Sequence, residues 1–234
     1  DDSRGIVGVL EGSFVIRNAA DVRYIQRVTE ITGSLTVDAL GLGSLRLPEL
    51  ESIGSGLLIS GSSLTTVDFP ALTHVSVLQI RDNPALTSIQ FPALEEGSAF
   101  ELSFNNALPS FELPALTSMG SIRIGTNDSL TAFRMPALAA LGGLNVSGTS
   151  SLLSLTFPAL THMTGELMMN ANGALRDVSF SALETVASLR IQGSPLLTSI
   201  DFAALNEVIG NVWILSNAIL PECLVLALVD QVEA

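Results

Sequence analysis

The chain has 234 residues, 23 acidic against 10 basic side chains and a net charge of −13, a balance that repels phosphate backbones and anionic lipid and so argues against nucleic acid or a membrane surface as partner. Hydrophobic residues make up 47% and mean hydropathy is +0.51, yet they come in short pulses, and no apolar run reaches the length of about 18 that membrane insertion needs. All ten basic residues are arginine, which reads first as a GC-rich coding sequence rather than as a function.

In chain order, Asp1 to Gly5 reads as a mature or trimmed start without a signal peptide, which leaves secretion open. Phe14-Val15-Ile16 is a short strand. Asp21 to Val28 is expected to be a short helix, with Val22, Ile25 and Val28 at helical spacing, capping the first strand.

From Pro48 onward the chain repeats. Pro-x-Leu triplets begin at Pro48, Pro70, Pro92, Pro114, Pro136 and Pro158, each 22 residues after the last, and Ser181 and Ala203 take the proline's place in two later units. Each unit carries an alternating pair such as Leu78-Gln79-Ile80, Ile122-Arg123-Ile124, Leu144-Asn145-Val146 or Leu189-Arg190-Ile191, the pattern of a strand with one buried face. A second alternating pulse precedes the triplet, as in Ile89-Gln90-Phe91 and Ile200-Asp201-Phe202, and the triplet leucine adds a third apolar contact. One unit of this size cannot offset an ordering entropy of roughly 1.5 kcal/mol per residue. Stacked units can, because each buries its neighbour's core.

The expected architecture is therefore all-β: a right-handed parallel β-helix, or a leucine-rich-repeat-like solenoid, of about nine 22-residue coils. It forms a single domain, with an N-terminal strand and capping helix over residues 1–30 and repeat coils over 31–219. Pro221 opens a C-terminal capping helix through Val232, within residues 220–234. Asparagine recurs after the strand pair at Asn83, Asn105, Asn127, Asn172 and Asn217, with Thr149 and Ser194 in the same slot, which predicts an inward amide ladder along the solenoid rather than a row of polar ligand contacts.

The units Leu86-Thr-Ser-Ile-Gln-Phe-Pro-Ala-Leu94 and Leu197-Thr-Ser-Ile-Asp-Phe-Ala-Ala-Leu205 resemble the receptor L-domain family. So do the strand entry Ile31-Thr-Gly-Ser-Leu-Thr-Val37 and the opening Gly12-Ser-Phe-Val-Ile-Arg17. The resemblance covers essentially the whole chain and is closest to the bacterial secreted or surface branch, whose C-terminal segment begins like Leu220-Pro-Glu-Cys223. It implies a solenoid, an extracellular or cell-surface location, secreted or lipid-anchored, and ligand contact on the broad sheet face. It also implies a later cysteine as partner for Cys223, and this chain contains none. Leucine-rich repeats are the near structural rival, since Leu78-x-Ile-x-x-Asn83-x-x-Leu86 echoes their pattern.

Chemistry is sparse. His74 and His162 occupy one column four repeats apart, too far to share a metal or a proton, and read as exposed corner residues. Cys223 is alone and reads as a small buried apolar residue or as one that has lost its partner. No zinc spacing, phosphate loop or nucleophile triad is present, so no cofactor or metal is expected and the chain does not read as an enzyme. Asn127-Asp-Ser and Asn145-Val-Ser are glycosylation sequons that matter only in a eukaryotic secretory host. A β-helix carbohydrate-active enzyme needs clustered acids, whereas Asp68, Glu112 and Asp201 are diluted by Gln90, Arg134, Thr156 and Ser179 in their column. An ice-binding array is disfavoured because Thr66, Ser88, Ser110, Ala132, Ser154, Asp177 and Ser199 are interrupted by a charge.

The outward face of the strand pairs is the candidate site. Its column runs Val15, Thr36, Leu58, Gln79, Glu101, Arg123, Asn145, Met168, Arg190, Trp213. Glu101 and Arg123 are expected to pair between adjacent coils. Arg123, Asn145, Met168, Arg190 and Trp213 are the candidate ligand-binding residues for a protein or a glycan, because arginine and tryptophan dominate binding hot spots. Trp213 has a second reading, tucked beneath the C-terminal helix, and the whole chain has a second class of function, a structural envelope or matrix scaffold without a ligand.

Overall fold

The computed structural model describes residues 5–233, and the reading of Asp1 to Gly5 concerns a start whose first four residues lie outside those described. One wall is a parallel sheet of 15 strands that climbs through about ten turns. That is one more than the nine or so coils expected from the sequence. The strands Val7–Leu10 and Arg27–Ile31 stack in line with the later rungs although their coils carry no Pro-x-Leu triplet. The other wall consists of three-residue strands and is broken into three pieces.

One coil shows how the sequence builds them all. His74–Arg81 is a long strand whose Val75, Leu78 and Ile80 point inward and are fully buried. Asp82 then takes a left-handed backbone (φ 58°), and Asn83 to Leu86 form a tight turn closed by Leu86 N–H donating to the Asn83 carbonyl at 3.1 Å. Ser88–Gln90 is the short strand of the second wall. Phe91 to Leu94 close the coil with a second turn, Leu94 N–H to Phe91 carbonyl at 3.3 Å, with Pro92 where its fixed φ suits the turn. Beside the turns, hydroxyls of Thr65, Thr73, Thr87, Thr117, Thr131, Thr161 and Thr198 donate to carbonyls one coil away at 2.7–3.2 Å.

A column of small residues crosses this wall: Gly54, Ser76, Ser98, Gly120 and Gly142 within the long strands, then Gly165, Ala187 and Gly210 at bends between paired shorter strands. There the coils press together, and a Cβ at Gly120 or Gly142 would run into the carbonyl oxygen of Ser98 or Gly120 in the coil before.

The predicted amide ladder is present. Asn83, Asn105, Asn127, Asn172, Thr149 and Ser194 are all fully buried. Asn127 accepts from the Asn105 N–H at 2.9 Å and donates to the carbonyls of Leu102 at 2.9 Å and Gly125 at 3.1 Å, so one side chain ties two coils together. Asn172 does the same with Thr149, and Asn217 with Ser194. Ser62 begins the ladder with two bonds to Asn83. The residue before each ladder position is left-handed in every one of these coils, a non-glycine at Asp82, Phe104, Thr126, Ala171 and Ser216. Because Asn127 is sealed in the core, its sequon is closed to glycan attachment.

The N-terminal helix differs from expectation. Helix α1 spans Ala19–Ile25, capped by Asn18, whose side chain accepts from the Asp21 N–H while Asp21 reaches back to the Asn18 N–H. This capping box starts the helix two residues early. Val28 lies not in the helix but in the strand Arg27–Ile31, where β-branched Val28 pairs with Gly8. Helix α2 spans Glu222–Glu233 as expected and docks beside the turn at Phe202, with Leu228 buried and Gln231 Nε2 donating to the Leu205 carbonyl at 2.6 Å. Cys223 is exposed rather than buried, because it begins the helix on its outer face.

Two substitutions test this account. Asn127→Ala removes the acceptor of the buried Asn105 N–H and the donor to the Leu102 carbonyl, while the Gly125 carbonyl keeps its bond from the Phe104 N–H, and a loss of about 3 kcal/mol is expected in urea unfolding, at 1–3 kcal/mol per orphaned buried group; a change under about 0.5 kcal/mol would sink the ladder as a source of stability. Thr126→Gly removes a β-branched residue from the left-handed region at φ 50°, and a gain of about 1 kcal/mol is expected by the same measurement.

Candidate recognition surface

The strand register places every residue of the predicted outward column in one line. Val15 pairs Thr36, Thr36 pairs Leu58, Leu58 pairs Gln79, and Gln79 pairs Glu101. The line continues through Arg123, Asn145, Met168, Arg190 and Trp213. All five candidate residues are thus consecutive along the face, at a strand spacing of about 4.8 Å. The column next to it carries small side chains beside Arg123 and Asn145 (Ser121, Gly143) and continues with Glu166 and Ser188 beside Met168 and Arg190; Arg123 is exposed and the other four candidates are half-buried.

The C-terminal end of the column is the most organised. The Arg190 guanidinium carbon lies 4.5 Å from the centre of a Trp213 ring, a cation–π stack that holds the guanidinium flat. Arg190 Nε and Asn145 Oδ1 are both buried and have no hydrogen-bond partner. A buried donor and a buried acceptor left unpaired on one face are costly, and a ligand can satisfy only those that its binding reaches. Trp213 does not lie beneath helix α2. That helix packs toward Ile200, Phe202 and Ala203 on the other wall, and Trp213 keeps its outward place beside Arg190.

The expected Glu101–Arg123 ion pair does not form. The two residues are register neighbours, but Glu101 takes hydrogen bonds from Gln79 Nε2 and Ser103 Oγ, both at 3.2 Å, and Arg123 remains exposed. Two neutral donors at hand satisfy the carboxylate with less side-chain ordering than a long arginine demands. Among the described residues, the one arginine in an ion pair is Arg46, with Asp68 on the second wall. Near the other end of the column, a groove of about 230 Å³ opens beside Thr36, Leu58 and Gln79, where Gly56 leaves room. The alternation of the strand pairs does not announce it; the missing side chain at Gly56 is its signal.

His74 opens the long strand His74–Arg81 and His162 the two-residue strand His162–Met163, so neither sits in a turn, and the register His74–Glu96–Ser118–Ala140–His162 sets them four coils apart. Each faces a carboxylate one coil on: Glu96 at 3.5 Å and Glu184 at 3.8 Å. Among the described residues, no group of three or more His, Cys, Asp or Glu is placed to hold a metal ion, and no helix is long and apolar enough to cross a membrane. Comparison with family models, with curated proteins and with solved structures finds no match for the chain.

The stack makes the single tryptophan a reporter. Arg190→Ala is expected to change the emission of Trp213 while far-UV circular dichroism stays the same, at a stability cost of about 1 kcal/mol. Unchanged emission would mean that the stack is not populated in solution.

Proposed function

We propose that the chain is an extracellular or cell-surface recognition module that binds a protein or a glycan on its outward strand face, through Arg123, Asn145, Met168, Arg190 and Trp213. The observation that carries this reading is the Arg190–Trp213 stack beside two buried polar atoms without partners, Arg190 Nε and Asn145 Oδ1. Stacked arginine and tryptophan on an exposed rigid sheet pair a large contact area with directional donors at low ordering cost. The resemblance to bacterial receptor L-domains supports the same face and a secreted or lipid-anchored location. The chemistry of the column supports binding in preference to catalysis, since it brings no acid–base pair or nucleophile to one place.

The test is binding of the purified chain to a broad glycan array and to a panel of envelope and secreted proteins, next to the variant Trp213→Ala with Arg190→Ala. Saturable binding by the parent, weakened at least tenfold in the variant, is expected from the loss of hot-spot residues worth about 2 kcal/mol or more. A folded parent that binds nothing would put the scaffold reading ahead and remove these residues from any site.

A further inference from the structure

The second wall holds two clefts with a common cause. An inward phenylalanine stands directly before the turn at Phe69, Phe91, Phe157, Phe180 and Phe202, but two residues earlier at Phe111 and Phe133. Within each set the rings stack, at 5.5 Å for Phe69–Phe91, 5.3 Å for Phe111–Phe133 and 5.2 Å for Phe157–Phe180. Where the position switches, Phe111 turns edge-on to Phe100 and Phe133 edge-on to Phe157. The wall of short strands breaks at the same two switches, between Gln90 and Glu112 and between Arg134 and Thr156. Elsewhere a backbone bond ties the pre-turn residue to the next coil, as in Phe69 to Gln90 at 3.0 Å, Leu113 to Arg134 at 2.9 Å and Phe157 to Ser179 at 3.0 Å. The corresponding bonds from Phe91 to Glu112 and from Met135 to Thr156 are not formed. A cleft of about 300 Å³ opens at the first break and one of about 240 Å³ at the second.

We propose that the second cleft binds a sugar acid, one pyranose ring carrying a carboxylate. Buried Phe133 is its floor, and Pro136 and Pro158 give it apolar borders against which a ring's C–H face packs. Ser154 and Thr156 supply hydroxyls, and the Met135 N–H and Thr156 carbonyl lack the ladder bond they would otherwise share, so donors and acceptors for ring hydroxyls line the same space. Arg134 supplies the cation. Its register neighbour Glu112 does not pair with it within 4 Å, so the guanidinium is free for a bidentate carboxylate. The volume is at the small end for ligand sites and suits one ring. The first cleft has similar borders, Pro92 and Pro114, but neutral Gln90 stands in the place of Arg134 and Glu112 in the place of Thr156, so it lacks the cation and repels the same ligand. This site is on the other wall from Arg190 and Trp213 and stands independently of the recognition face.

The experiment is a titration of the isotope-labelled chain with glucuronate and, separately, with glucose, followed by amide chemical shifts. Saturable shifts are expected at Met135 and Thr156 with glucuronate, at least fivefold weaker with glucose, and absent at Phe91 and Glu112. Arg134→Ala, an exposed substitution, is expected to abolish the glucuronate response. Phe133→Val combined with Met135→Phe restores the neighbouring pattern and is expected to close the cleft with the same loss. Absence of shifts, equal shifts at both clefts, persistence in Arg134→Ala, or shifts confined to Arg190 and Trp213 would each overturn the assignment.

Discussion

The structure depends on a buried polar ladder, an amide at Asn83, Asn105, Asn127, Asn172 and Asn217 and a hydroxyl residue at Ser62, Thr149 and Ser194. A solenoid of short coils gains its stability between neighbours, so every coil needs a contact that fixes both its spacing and its phase. Asn105 supplies both: its Nδ2 donates to the Ile80 carbonyl of the preceding coil at 2.8 Å and to the Ser103 carbonyl of its own at 2.9 Å, while its Oδ1 accepts from the Asn83 N–H at 3.3 Å. The side chain reaches these groups because the residue before it turns left-handed, and the chain accepts that conformation even at Phe104 and Thr126. Backbone strain at the corner is thus tolerated because the amide behind it over-determines the geometry.

This constraint explains where the repeat length is allowed to vary. Leu141 pairs Met163 at a step of 22, whereas Leu144 pairs Leu167 at 23, so the extra residue falls at the bend around Gly165. The same holds near Gly210, where Val186 pairs Val208 but Leu189 pairs Val212. Ile53 to Gly56 also holds one residue more than its partner segment Val75 to Val77, in the same column of small residues. Corners with a buried amide keep their phase, and the bend of small residues absorbs the difference. The aromatic core shows a second kind of tolerance. Moving phenylalanine by two residues at Phe111 and Phe133 keeps inward volume per coil nearly constant, since Leu113 and Met135 fill the vacated positions, but it interrupts the ladder of the short strands.

The inward pattern was legible because it is doubly periodic: alternation assigns each strand residue a face, and the 22-residue repeat assigns it a column. Hence the whole line from Val15 to Trp213, and the ladder of Asn83, Asn105 and Asn127, could be written before any coordinates. What periodicity does not encode was missed. The start of helix α1 depends on a capping box between Asn18 and Asp21, two local residues outside the repeat. Glu101 chose Gln79 and Ser103 over Arg123, a competition between three neighbours that a column of names does not rank. The switch at Phe111 and Phe133 was visible in the sequence as a phenylalanine moved two places, but its consequence, a broken wall, needs ring stacking to be seen in three dimensions.

The same periodicity separates stability from recognition. Every second strand residue is consumed by the core, as Leu144, Val146, Leu189 and Ile191 are, each at or near full burial. The residues between them, Asn145 and Arg190, are half-buried and point away from the core, so the core does not dictate their identity. Against a chain of net charge −13, the persistence there of Arg123 and Arg190 without carboxylate partners is not explained by packing, and neither is a tryptophan stacked outward where a smaller side chain would seal the face equally well. Residues that packing does not require, carried on a sheet that the buried ladder holds in register, are what the proposed recognition face is made of.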